Sequence, residues 1–165
     1  MNRKIIIIFR ILALLPAIFM MCLIFGFSGD TGEESSSLSG RVTEQVIIIL
    51  EQIAPDVVPE GHAKVDFADA LQGIIRKLAH MAEYTILVIT WLFALWVNGL
   101  KGKKLLYMAG SICFAYACTD EIHQLFVPGR SGKLLDICVD MIGVGSALLI
   151  ARLIQVIRKK NRKYE

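Results

Sequence analysis

The chain has 165 residues, enough for one compact domain, with 55% apolar residues, 20% charged residues and a mean hydropathy of +0.59. Soluble domains sit at roughly 45–50% apolar and about 25% charged, so this composition argues against disorder, and only four cysteines argue against a disulfide-dense scaffold. A net charge of +3, with the basic residues at the edges of apolar blocks, excludes a nucleic-acid-binding module and points to a membrane protein.

A bilayer core of about 30 Å requires roughly 20 apolar residues in helical form. The first block, 5–27, meets that length with one interruption, Arg10, close enough to the end to snorkel. The residues after Ile24, Phe25-Gly-Phe-Ser-Gly29, lack the small-residue pattern of a cleavage site, and Met20-Met21 before Cys22 lack the small residue of a lipidation signal. The block predicts an uncleaved anchor.

A polar stretch, 28–75, follows, with Ser35-Ser36-Ser37, Pro55 and Pro59. Val42, Val46, Ile49, Leu50 and Ile53 recur at helical spacing, which predicts an amphipathic helix along the membrane interface. A second short helix, Val65 to Arg76, feeds into the next apolar block. Blocks at about 78–99, 105–122 and 134–157 predict three more spans. The expected fold is an all-α integral membrane four-helix bundle, one domain over 1–165, with an extracytoplasmic amphipathic segment.

Orientation follows from the cations. Arg3, Lys4, Arg10, Lys101, Lys103, Lys104, Arg152, Arg158, Lys159, Lys160, Arg162 and Lys163 all fall on one side of a four-span chain. The opposite segment holds nine acidic residues against Arg41 and Lys64 alone. The chain therefore reads as a multi-pass protein of the cell membrane with both termini cytoplasmic. Trp91 and Trp96 read as interfacial anchors and His123 as an interfacial side chain facing water. Cys22, Cys113, Cys118 and Cys138 lie inside apolar blocks with no C-x-x-C pair, and read as small buried hydrophobes.

Charged side chains within spans cost about 2.5–3.5 kcal/mol each at mid-membrane, and this chain concentrates them. Arg76, His80, Glu83 and Tyr84 share one helix face at three- and four-residue steps. Asp120, Glu121 and Gln124 close the third span, and Asp136 and Asp140 open the fourth. All three groups fall at the extracytoplasmic ends of their spans, so one shared polar pocket satisfies them better than three exposures to lipid. Phe126, Val127 and Pro128 are apolar enough for a re-entrant turn, Gly129 and Gly132 permit a tight path, and Arg130 is expected to point into the pocket. Gly143 and Gly145 are expected to let the fourth span approach a neighbour closely.

Arg76 and Arg130 suit phosphate or carboxylate. Tyr84, Gln124, Asp136 and Asp140 complete the expected ligand-binding set, and His80, Glu83, Asp120 and Glu121 are the candidates for proton transfer if the protein is an enzyme. The carboxylates and His80 offer hard ligands for a divalent cation, but His80 and Glu83 form H-x-x-E rather than H-E-x-x-H. No cofactor is evident, and no metal ligand is assigned.

The blocks Arg76-Lys-Leu-Ala-His80-Met-Ala-Glu83-Tyr84, Asp120-Glu-Ile-His-Gln124-Leu-Phe-Val-Pro128-Gly-Arg130 and Asp136-Ile-Cys-Val-Asp140-Met-Ile-Gly143 closely resemble the VanZ-like membrane proteins. Phe27-Ser28, followed by Ser35, Ser36 and Ser39, is similar to that family's segment after its first span. The founding member is associated with low-level resistance to teicoplanin, a lipid-tailed glycopeptide that acts on the cell wall of Gram-positive bacteria. The resemblance implies a cell-envelope protein whose partners are membrane lipids, a lipid-linked wall precursor or the lipid-tailed antibiotic itself. Three readings stand side by side. In one the protein binds an anionic head group at the outer leaflet; in another it is a membrane-embedded hydrolase or transferase acting on head groups; in the third the polar residues only fix helix register.

Overall fold

The computed structural model describes residues 3–161, so Arg162 and Lys163 of the C-terminal basic run lie outside the described residues. Six α-helices follow one another: α1 (Arg3–Leu12), α2 (Leu15–Gly29), α3 (Gly32–Ile53), α4 (His62–Val97), α5 (Gly102–Gln124) and α6 (Leu134–Asn161). A 3-10 turn, Pro55–Val57, links α3 to α4, and no strand occurs among the described residues.

The first apolar block is two helices rather than one. Pro16 in the first turn of α2 has no N–H for the Leu12 carbonyl, so the chain turns at Ala13 and Leu14 before helix resumes. Arg10 sits exposed on α1. Three stretches are long and apolar enough to cross a membrane: Arg3–Gly29, His62–Val97 and Leu134–Asn161. α5 is of comparable length but is not among them, because Lys103 and Lys104 open it and Asp120, Glu121, His123 and Gln124 close it.

The short helix expected before the second span is continuous with it, giving one helix of 36 residues. At 1.5 Å per residue α4 is about 54 Å long, well beyond a hydrocarbon core of about 30 Å. The turn after it is a Schellman cap: Leu100 N–H donates to the Leu95 carbonyl and Gly99 N–H to the Trp96 carbonyl, with Gly99 at φ +99°.

α2, α4, α5 and α6 surround one core of Ile24, Tyr84, Leu87, Val88, Cys113 and Val144. α5 buries a stripe of small residues, Ala109, Cys113 and Ala117, one turn apart, which allows close helix approach. The Tyr116 hydroxyl donates to the Met21 carbonyl at 2.6 Å and ties α5 to α2. Gly143 of α6 lies against the backbone carbonyl of Met81, whereas Gly145 has open space around it, so only the first of the two expected glycines makes a close approach. Trp91 is partly buried against the core, while Trp96 is half exposed. Of the cysteines, Cys113 is buried, but Cys22 and Cys138 are exposed.

The outer surface is apolar. Ile5, Phe9, Phe19, Phe25, Phe114 and Leu153, among many others, are about half exposed or more. A soluble monomer rarely carries so much contiguous apolar surface; a lipid-facing bundle requires it.

α3 starts with a capping box in which Glu34 N–H donates to the Thr31 hydroxyl at 3.3 Å and Thr31 N–H donates to the Glu34 carboxylate at 2.9 Å. It folds back on the first half of α4 through its small polar face. Gln72 donates to the Ser36 carbonyl at 2.8 Å and to the Ser39 hydroxyl at 3.0 Å, and Lys64 pairs with Glu51 at 2.6 Å. Of the apolar residues expected to face a membrane, Val42, Ile49 and Ile53 are exposed, as is Leu38, whereas Val46 and Leu50 are half-buried.

Candidate functional site

The sequence-predicted polar residues gather at one end of the bundle, where α4, α5, α6 and the loop 125–133 meet the end of α2 and the start of α3. Two cavities flank Arg76, His80 and Arg130, which line both. The first, of about 250 Å³, is the more polar of the two, and Lys77, Gln124, Lys133 and Asp136 also line it. Four cations thus face one acid and an imidazole. The second, of about 210 Å³, is walled largely by Phe27, Leu38, Val42, Ile75 and Ala79, with Glu83 and Asp30 as its acids.

The loop that carries Arg130 is held by hydrogen bonds distant in sequence. Arg130 Nη2 donates to the Phe27 carbonyl at 2.8 Å and Nε to the Asp30 carbonyl at 3.1 Å, which satisfies backbone left open at the end of α2. Gly32 N–H donates to the Pro128 carbonyl at 3.0 Å, and the two backbones come so close that a Cβ on Gly32 meets the Gly129 carbonyl. Gly129, at φ +74°, makes the turn a side-chain-bearing residue would resist. Lys133 N–H donates to the Glu121 carboxylate at 2.7 Å and closes the loop from the other side. Arg130 is therefore a clasp as well as a cavity wall, and three of its five N–H donors are free of these bonds.

Arg76 reaches across to α3, where Nη2 donates to the Ser36 hydroxyl at 3.1 Å. Behind His80 stands Asp140, wholly buried, with Nδ1 to Oδ1 at 3.8 Å. Gln124 Nε2 lies 3.4 Å from Asp120 Oδ2, a long hydrogen bond. Neither oxygen of Asp140, nor one oxygen each of Asp120 and Glu121, accepts a hydrogen bond among the described residues.

Of the ten residues expected in the pocket, Arg76, His80, Glu83, Gln124, Arg130 and Asp136 line the cavities. Asp120, Glu121 and Asp140 form a buried acidic layer beside them, and Tyr84 belongs to the core, its ring tilted against Tyr116 with centroids 6.3 Å apart. His123 is half-buried, and its ring packs on Phe25 with centroids 4.3 Å apart. Sequence reasoning missed Lys77 and Lys133. Both had a signal, since Lys77 adjoins Arg76 and Lys133 shares the short loop with Arg130. Among the described residues no three His, Cys, Asp or Glu side chains converge as a metal site.

The class that these features define is an all-α membrane protein with an ionisable site at one end of its helices. The chain matches the VanZ/LLP1 family over residues 13–155, most of its length, and belongs to that family. No curated protein and no solved structure matches it.

Proposed function

We propose that the protein binds the phosphate-bearing head group of a lipid, with the head in the polar cavity and the start of the chain in the apolar one. The observation that carries this reading is the shared wall of Arg76, His80 and Arg130 between a cation-rich cavity and a greasy one. Each cavity lies below the roughly 300–1,000 Å³ of pockets that enclose drug-sized molecules, which suits a head group whose tail stays in the membrane. Arg130 is preorganised by its two backbone bonds, so little side-chain entropy is lost when its free donors meet phosphate.

In this reading α5 is a fourth span, 125–133 is a re-entrant turn, and both termini are cytoplasmic, since twelve cations then share the inner side. The site opens at the outer leaflet, where lipid-linked wall precursors and lipid-tailed glycopeptides meet the membrane. Tolerance of teicoplanin-type antibiotics is the cellular consequence.

The test uses full-length protein in neutral detergent, titrated with a polyprenyl phosphate and with the corresponding polyprenol, with binding read by native mass spectrometry. The phosphate form binds and the alcohol does not; Arg76→Gln and Lys133→Gln each weaken binding at least about tenfold. Equal binding of the two lipids, or no effect of either substitution, overturns the reading.

A second reading, chemistry on the bound head group, is favoured by one observation: His80 borders both cavities with the buried Asp140 behind its ring. Neutral His80 would take a proton from water as the water oxygen bonds to phosphorus and the phosphorus–oxygen bond to the lipid breaks, then pass that proton to the departing lipid oxygen, with Asp140 behind the ring as the charge forms. Release of phosphate from the bound lipid by wild type, and none by His80→Ala, separates this reading from simple binding.

A further inference from the structure

The opposite end of the bundle holds a third and larger cavity, of about 690 Å³, between the end of α4, the start of α5 and the end of α6. Lys101, Lys103, Arg152, Arg158 and Lys159 line it, and no acidic residue does. None of the five makes an ion pair among the described residues. Five like charges around one hollow repel one another, and an anion relieves that repulsion.

Three further features give the hollow chemical direction. α5 begins here with Lys101 at its N-cap and no side chain capping it, so its first N–H groups and the positive end of a 23-residue helix add to the cationic field. Trp96 and Leu105 supply an apolar wall, and Trp96 is 55% exposed, as an indole at the acyl–headgroup boundary is placed. The Gln155 side-chain oxygen also lines this end, buried and without a protein partner, an acceptor suited to a head-group hydroxyl.

We infer that this basic hollow is a second lipid site, holding the phosphodiester of an anionic phospholipid in the leaflet at that end, independently of the site around Arg76. A solvated cluster of topology signals needs no concave wall, no indole and no uncapped helix start; a phosphodiester with a hydroxylated head uses all three.

The experiment places full-length protein in phosphatidylcholine vesicles with a minor fraction of either dibrominated phosphatidylglycerol or dibrominated phosphatidylcholine. The Trp96 signal is the difference between wild type and Trp96→Phe, and bromine quenches only at short range. Dibrominated phosphatidylglycerol is expected to quench Trp96 more strongly than its zwitterionic counterpart. Arg152→Gln with Arg158→Gln weakens that preference about 30-fold, at about one surface-charge increment per residue. Because α6 cations also bear on insertion, Lys101→Gln with Lys103→Gln on α5 gives an independent arm with the same expected loss. Equal quenching by the two lipids overturns the inference, as does a preference that survives both double substitutions. Millimolar inorganic phosphate leaves the quenching unchanged relative to chloride of matched ionic strength; its displacement of the lipid overturns the lipid assignment and points to a soluble phosphoester.

Discussion

His80 Nδ1 and Asp140 Oδ1 stand 3.8 Å apart, joining a side chain that borders both cavities to a carboxylate with no solvent exposure and no hydrogen-bond partner. Buried polar atoms are ordinarily satisfied, so an orphaned acid behind a cavity-lining imidazole marks a coupled pair. Asp140→Asn and His80→Ala are each expected to weaken retention of a polyprenyl phosphate, and the double variant to be no worse than the stronger single one. A double-mutant cycle on binding checks this, with an expected coupling of about 0.5–3 kcal/mol. Strict additivity means that the pair does not act as a unit.

The contact between Gly143 and the Met81 carbonyl sets how closely α6 approaches α4. A methyl group there meets the Met81 backbone carbonyl first, then the Thr85 hydroxyl and the Met81 side chain. Gly143→Ala should destabilise the bundle by about 1–3 kcal/mol, read as a lower midpoint in detergent-denaturant unfolding. Gly145→Ala, in open space, should change it little and serves as the matched control.

The all-α, membrane-helix character and the gathering of ionisable residues at one end of the helices were legible, and the orientation of individual side chains was not. Hydropathy reports which stretches prefer lipid, and the three- and four-residue spacing of Arg76, His80 and Glu83 reports a shared face; together they brought the ionisable groups to one end. Neither says which side of a helix meets a neighbour. Tyr84 therefore packs in the core, Trp91 against it, and His123 against Phe25. The role of Arg130 as a clasp depends on carbonyls about a hundred residues away, which no local pattern encodes. The break at Ala13 and Leu14 was visible in Pro16, but the continuous apolar run around it concealed the turn.

The Arg130 clasp predicts a difference between shape and charge. Lysine keeps the charge but loses the planar fork that meets Phe27 and Asp30 together. Arg130→Lys should cost about 2 kcal/mol in stability, together with faster amide exchange at Gly32, whose N–H is bound to Pro128 in the loop the clasp secures. A lysine variant with wild-type unfolding and wild-type protection of Gly32 would show the backbone bonds to be dispensable.

The capping box at α3 carries a pH dependence of known sign. The Thr31 backbone N–H, and then its hydroxyl at 2.8 Å, hold the Glu34 carboxyl below its ordinary value of 4.5. A carboxyl lowered in the folded state contributes fully above the unfolded value and loses that contribution as pH falls through the folded one. The Thr31 amide resonance should therefore shift on acidification with a midpoint below 4.5, followed by nuclear magnetic resonance of labelled protein in detergent. Glu34→Gln keeps an acceptor for the Thr31 N–H, since glutamine also completes a capping box, so its amide should stay protected but no longer titrate. A midpoint at or above the ordinary carboxyl value, or the same titration in the glutamine variant, would mean that the proton is lost elsewhere and that Thr31 and Glu34 do not form the cap in solution.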